Sequence, residues 1–266
     1  MTKRRNVADW IGMKERGEKI VVLTVYDASS AALAAHAGVE ILLVGDSLAM
    51  TVLGYQNTLP ITFEEMLHHC KAARRGAPDA FIVGDMPFLS FGVTEADSIL
   101  NAGRMLKEAG CNAVKLEGGA DMAPTVAALV SAGIPVMAHI GLLPQKVLIS
   151  GYRMQGKSED DAKRILTDAL AMQEAGAFSV VLECIPRDLG TQISKALTIP
   201  TISIGAGVGC DGQVQVIHDL LGMFESFTPR HAKRYAEIGE QIRRAIQDYV
   251  EEVKTGIFPD DEHSFK

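Results

Sequence analysis

The sequence has no uninterrupted apolar run approaching the roughly 18 residues that a membrane-spanning helix needs. Its four cysteines, Cys70, Cys111, Cys184 and Cys210, lie far apart and form no Cys-x-x-Cys pair, so neither a zinc site nor a disulfide framework is indicated. No basic cluster is longer than Lys3-Arg4-Arg5, and 26 basic against 33 acidic residues leave a net charge of −7, which disfavours nucleic acid as a partner. That basic triplet is followed by Asn6, Asp9 and Lys14 rather than by the apolar stretch of a signal peptide. No linker, solenoid repeat or low-complexity tract divides the chain. These absences predict a soluble, unexported protein of a reducing cytoplasm, with neither nucleic-acid nor membrane partners.

What is present points to an α/β fold. With 47% hydrophobic and 22% charged residues the chain is globular in composition, and its 266 residues match the roughly 250 of one (β/α)8 barrel. Short, near-continuously apolar runs at 20–26, 41–44, 81–83, 113–116, 135–139, 179–182 and 201–204 read as strands covered on both faces, hence as a parallel sheet. Between them lie helices with clear ends. Thr62 and Glu65 form a capping box ahead of 63–76, Thr94 and Asp97 mark another start, and Gly38, Gly110, Gly133 and Gly176 close Ala-rich helices. The 178 residues from Asp27 to Gly205 hold six such units, about 30 residues each, as a TIM barrel requires. A doubly wound open sheet accommodates the same pattern, and the unit count favours the barrel.

The whole of 1–266 is expected to be a single barrel domain. Residues 1–18 carry an N-terminal helix (7–16) that plugs the barrel bottom, and 213–218 is the eighth strand. Residues 230–255 carry an amphipathic closing helix (230–254), and 256–266 is a frayed tail.

In such a barrel the reactive groups stand at the carboxyl ends of the strands. There the sequence places Asp27, Asp46-Ser47, Asp85, Lys115 and Glu117, His139 and Glu183. Carboxylates gathered at one mouth cannot all stay ionised without a cation or protons, and hard oxygen donors favour Mg²⁺ or a similar divalent ion. Lys115 lies two residues before Glu117, on the same side of a strand, where it can bind an anionic substrate. Simpler roles exist for each: Asp27 as a helix cap, Lys115 and Glu117 as a structural ion pair, His139 as a core histidine, and His68 and His69 as surface or packing residues. The cluster Gly205-Ala206-Gly207-Val208-Gly209 with Asp211-Gly212 is not a nucleotide fingerprint. It fits a tight turn or a backbone loop around a carboxylate or phosphate.

The strings at these strand ends resemble the ketopantoate hydroxymethyltransferase family. They are Leu42-Leu43-Val44-Gly45-Asp46-Ser47, Asp85-Met86-Pro87-Phe88, Val114-Lys115-Leu116-Glu117-Gly118-Gly119, His139-Ile140-Gly141-Leu142 with Pro144-Gln145, Val181-Leu182-Glu183-Cys184, and Ile204-Gly205-Ala206-Gly207 with Asp211-Gly212-Gln213. The likeness runs in order from about Leu23 to Gly222 and extends to Phe258-Pro259. It implies a barrel of the phosphoenolpyruvate/pyruvate type and transfer of a hydroxymethyl group from 5,10-methylenetetrahydrofolate to 3-methyl-2-oxobutanoate, with Mg²⁺, in a homodecamer. It also implies that Asp46 and Asp85 ligate the metal, with Glu117 near it in part through water. Asp46, Ser47, Asp85, Lys115 and His139 would then contact the keto acid, and Glu183 would move the proton. Leu89, Ala138, Leu143 and Ser203 depart from the pattern, and none of them replaces an ionisable site residue. Two other classes share part of this logic: a metal-dependent carbon–carbon lyase of 2-oxo acids that needs no folate, and a non-catalytic keto-acid sensor. No motif locates a folate site.

Overall fold

The computed structural model describes residues 5–223 and 229–265. These fall into two compact units, one ending at Val216 and one starting at Ile217. In the first unit eight parallel strands close into a barrel in sequence order. They are β1 (Ile20–Thr24), β2 (Ile41–Val44), β3 (Phe81–Asp85), β4 (Ala113–Glu117), β5 (Val136–Gly141), β6 (Ser179–Glu183), β7 (Thr201–Ile204) and β8 (Gly212–Gln215). Ile20 pairs with Gly212 to complete the ring.

Helix α1 (Val7–Glu15) precedes the barrel, and α2 (Ala28–His36), α3 (Leu48–Thr51), α4 (Phe63–Gly76), α5 (Glu95–Ala109), α6 (Ala123–Ser131), α7 (Val147–Ser150), α8 (Glu159–Glu174) and α9 (Arg187–Ala196) follow successive strands. Their starts are chemically marked as expected. The Thr62 hydroxyl accepts the Glu65 amide while Glu65 answers to the Thr62 amide, and Thr94 accepts from Asp97. Asp27 takes its simpler role, accepting the Ser30 amide at 2.7 Å as the cap of α2. The four glycines expected at helix ends all have positive φ, between 71° and 94°, a conformation that costs other residues a clash at Cβ.

The amino ends of the strands hold the core. Trp10 and Met13 of α1 pack with Ile20, Ile41, Phe81, Ala113, Met137 and Phe178, each at or beside the first residue of its strand, so α1 closes this end of the barrel. Trp10 meets Phe81 edge-on at 5.2 Å, and Phe81 meets Phe178 at 6.0 Å. Lys14 ties the helix down by donating to Asp211 Oδ2 at 2.7 Å and to the Ser194 carbonyl at 2.8 Å. Trp10→Ala is expected to cost about 3–5 kcal/mol through the cavity it leaves. That corresponds to a fall in Tm of roughly 10 °C by calorimetry; an unchanged Tm overturns the assignment of this end as the stabilising one.

Two boundaries differ from expectation. The eighth strand is Gly212–Gln215 rather than 213–218, with Gln213 exposed, and α10 (Ile217–Leu221) already begins at Ile217. Gly212 lies so close to β1 that a Cβ there would sit 2.4 Å from the Ile20 carbonyl oxygen, and a strand opening on glycine carries little apolar signal. In the second unit the long helix α11 runs over Ile238–Thr255, not from 230. The stretch before it spends its backbone groups elsewhere: the Tyr235 amide donates to the Leu220 carbonyl at 2.8 Å. Among the described residues no helix is long and apolar enough to cross a membrane.

Candidate active site

Parallel strands deliver all their carboxyl ends to one face, so residues from distant parts of the chain meet there. Asp46 stands two residues beyond the end of β2, Asp85 and Glu183 end β3 and β6, Lys115 and Glu117 lie on β4, and His139 lies on β5. Register fixes the neighbours: Asp85 is opposite Lys115, and Glu117 is opposite His139. β3 reaches two residues, and β4 and β6 one residue, further than the apolar runs alone predict, which makes Asp85, Glu117 and Glu183 strand residues with fixed direction.

Asp46, Asp85, Lys115, Glu117 and His139 are each between 2% and 5% exposed, so their charges must be met within the protein. Lys115 Nζ lies 3.0 Å from Asp85 Oδ1 and 3.4 Å from His139 Nδ1. The imidazole bridges two carboxylates, with Nδ1 3.6 Å from Glu117 Oε1 and Nε2 3.1 Å from Glu183 Oε2. The Asp46 amide donates to Asp85 Oδ2 at 3.0 Å. Ser47 joins from the side, its hydroxyl 2.9 Å from the Tyr26 hydroxyl, which in turn accepts from Thr24.

The electrostatics follow from burial among like charges. Burial, then the charges of Asp85 and Glu117, push the Asp46 carboxyl up to about 8, against the pull of Lys115 and Gln145. Burial raises Asp85 as well, although Lys115 opposes it. Burial works against the Lys115 charge, but Asp85, Asp46 and Glu117 outweigh it and hold the ammonium protonated. Burial and Lys115 would likewise lower His139, yet Glu117 and Glu183 lift it to about 9, so it is an imidazolium at neutral pH. For Glu117 burial is overcome by His139, Lys115 and the Gln145 amide, which bring it below the ordinary carboxyl range. With every carboxyl ionised, four carboxylates face two cations, an excess of negative charge that only protons or a further cation can remove.

The structure thus brings together every site residue expected from the sequence, in two linked groups: Asp46, Asp85 and Lys115, and Glu117, His139 and Glu183, with Ser47 at the edge. Among the described residues, however, no group of three or more His, Cys, Asp and Glu side chains is spaced to hold one metal ion. The aspartates stand as a pair, and Glu117 is turned to His139.

Sequence reasoning passed over Gln145. It follows β5 in a short 3-10 turn and is buried, with Nε2 donating to Asp46 Oδ2 at 2.9 Å and to the Met86 carbonyl at 3.0 Å, and its amide donating to Glu117 Oε2 at 3.0 Å. A neutral residue in a loop gives no charge signal; only its place in the string after His139 was visible. Tyr152 was also passed over. Burial, then Asp46, Glu183 and Glu117, raise the Tyr152 phenol, which marks it as a neighbour of the cluster. Gly141 is required where β5 turns into the mouth: its φ is 95°, and a Cβ would sit 2.3 Å from the Glu183 carbonyl oxygen. The glycines at 205–209 serve close packing, since a Cβ on Gly207 would lie 2.6 Å from Arg187 Cβ. His69 anchors the Tyr26 carbonyl through Nδ1 at 2.6 Å, in keeping with a packing role.

Comparison with solved structures supports the architecture. A phosphoenolpyruvate phosphomutase from Streptomyces platensis superposes with a TM-score of 0.64 at 15% identity, covering 95% of this chain and 88% of its own. A 2,3-dimethylmalate lyase of the PEP mutase/isocitrate lyase superfamily gives 0.61 at 20% identity, covering 97% and 91%. At such identities the likeness concerns the fold. Sequence relatives are far nearer. Proteins named 3-methyl-2-oxobutanoate hydroxymethyltransferase share 52% identity over 263 residues in Desulfotalea psychrophila (98% of this chain, 94% of the relative) and 53% over 266 residues in Heliobacterium modesticaldum (100% and 96%). The profile of the ketopantoate hydroxymethyltransferase family matches residues 4–261, and with these relatives it establishes that the chain belongs to that family.

Proposed function

We propose that this chain transfers a hydroxymethyl group from 5,10-methylenetetrahydrofolate to 3-methyl-2-oxobutanoate, giving ketopantoate, with Mg²⁺ held by Asp46 and Asp85. The observation that carries the reading is the way the two aspartates share their oxygens. Each commits Oδ2 to a protein donor, Gln145 for Asp46 and the Asp46 amide for Asp85. Asp85 Oδ1 is buried without a hydrogen bond, facing only the Lys115 ammonium, and no hydrogen bond reaches Asp46 Oδ1 among the described residues. One or two carboxylate oxygens, with water and substrate oxygens completing the shell, are the donor set that suits Mg²⁺. Glu117, whose own oxygens face the Gln145 amide and His139, would support a bound cation indirectly. When bound, the cation supplies Lewis-acid stabilisation of the charge that develops on the ketone oxygen.

The remaining chemistry belongs to side chains. Glu183 is the carboxylate of the cluster on β6, at Nε2 of the imidazole whose Nδ1 faces Lys115 and Glu117, and it takes the proton from carbon 3 as general base. His139 pairs its charge with Glu183 Oε2 across 3.1 Å and with Glu117 Oε1 across 3.6 Å. Lys115 offsets Asp85 and offers its remaining N–H donors, with Ser47, to the keto-acid carboxylate. The rigid mouth holds the resulting carbon nucleophile where the one-carbon unit arrives.

The test is a coupled assay for ketopantoate with and without Mg²⁺ and with and without the folate. Product only when both are present is expected. Cleavage of a 2-oxo acid in the absence of folate identifies the lyase reading instead, and binding without turnover identifies the sensor.

A further inference from the structure

We propose that Gln145 is a positioning residue that sets which divalent cation the aspartate pair accepts. The inference rests on the reading of Asp46 and Asp85 as ligands, and it deepens that reading by assigning ion selectivity to a neutral side chain.

The orientation of the Gln145 amide is decided by its partners. Asp46 Oδ2 and the Met86 carbonyl oxygen accept hydrogen bonds only, so the NH2 end must face both, and its two hydrogens are then fully used. The backbone of the same residue is held by Glu117 Oε2, and Met86 directly follows Asp85. Gln145 therefore bonds two carboxylates, Asp46 and Glu117, and the backbone next to the third, from a position only 6% exposed.

The consequence is denticity. The Gln145 donor on Oδ2 holds the Asp46 carboxylate with Oδ1 as the oxygen left without a hydrogen bond, which favours contact with a cation through that one atom, whereas Asp85 accepts the Asp46 amide on Oδ2 and has the Lys115 ammonium 3.0 Å from Oδ1. Mg²⁺ requires a compact, near-octahedral shell at about 2.0–2.1 Å and accepts single carboxylate oxygens with water. Ca²⁺ takes roughly six to eight oxygens at about 2.3–2.6 Å and gains from carboxylates that clasp it through both atoms. A side chain that occupies the second oxygen thus favours the smaller ion. Without it, Asp46 is free to rotate and present both oxygens.

Gln145→Met tests this, because it keeps the length of the side chain and the backbone amide and removes both donors. Mg²⁺ and Ca²⁺ are each titrated against bound Mn²⁺, read by paramagnetic resonance on the full chain without substrates, with circular dichroism to confirm the fold. The wild type is expected to prefer Mg²⁺. The variant is expected to lose about 10–100-fold in Mg²⁺ affinity, as is usual when a group supporting a ligand is removed, and to lose several-fold less for Ca²⁺. Equal losses for the two ions, no loss, or a wild type that prefers Ca²⁺ overturns the proposal. A wild type that binds no divalent cation, or an Asp46→Ala variant with undiminished affinity, removes the ligand reading itself and the proposal with it. If Gln145→Met does not fold, Gln145→Leu must show the same narrowing of preference, and the wild-type preference for Mg²⁺ stands as a separate requirement.

Discussion

Glu183→Gln is expected to slow exchange of the carbon-3 proton of 3-methyl-2-oxobutanoate with solvent deuterium by about 10²–10⁴-fold, the usual contribution of a positioned base. Glutamine has the same shape and can keep a carbonyl oxygen toward His139 Nε2, which lies 3.1 Å from Glu183 Oε2. It cannot accept a proton at neutral pH. Because the substitution leaves Asp46, Asp85 and Lys115 untouched, affinity for Mg²⁺ and for the keto acid should remain near that of the wild type. The loss therefore falls on kcat rather than KM. Exchange is followed by proton NMR in deuterated buffer without folate, which isolates this step from hydroxymethyl transfer. Wild-type exchange in the variant refutes the assignment of the base.

Asp46→Asn has two opposed consequences, and their combination is diagnostic. It removes a ligand oxygen's charge, so Mg²⁺ should no longer raise Tm, whereas in the wild type a saturating ion that binds only the folded state stabilises by mass action. In the metal-free protein the same substitution should raise Tm at alkaline pH. The reason lies in the sign of the linkage. The folded Asp46 carboxyl titrates at about 8 instead of the ordinary 3.8, so between those values the folded state binds more protons than the unfolded one. Stability must then fall as pH rises across that window. His139 acts in the same direction over a higher window. Its contribution is complete below its ordinary 6.5 and is lost as pH rises through about 9. Thermal unfolding of the metal-free wild type from pH 6 to 9 should show both losses, and Asp46→Asn should show a smaller total loss because the Asp46 contribution is gone, with a gain of several degrees at pH 9. Identical pH profiles for the two proteins would show that Asp46 is not held in a buried cluster of like charge.

The barrel was legible because its signal is repetitive. Apolar runs of strand length, glycine-terminated helices and a spacing of about 30 residues each report the same unit, so an error in one does not spoil the count. The weakest unit was misread at its edges for local reasons. β8 opens on Gly212 and alternates with exposed glutamine, and the residues before α11 look helical but include Tyr235, whose amide donates to the Leu220 carbonyl.

By itself the sequence determined which ionisable residues stand at the strand ends, because a parallel barrel turns position along a strand into position in space and leaves each acidic group at the same face. Only the tertiary structure decided who meets whom: that Lys115 answers Asp85, that His139 lies between Glu117 and Glu183, and that a neutral Gln145 bonds both Asp46 and Glu117. Such pairings depend on register between strands and on the conformation of a loop. Both are settled by packing over the whole barrel, where no single segment of the chain carries the information.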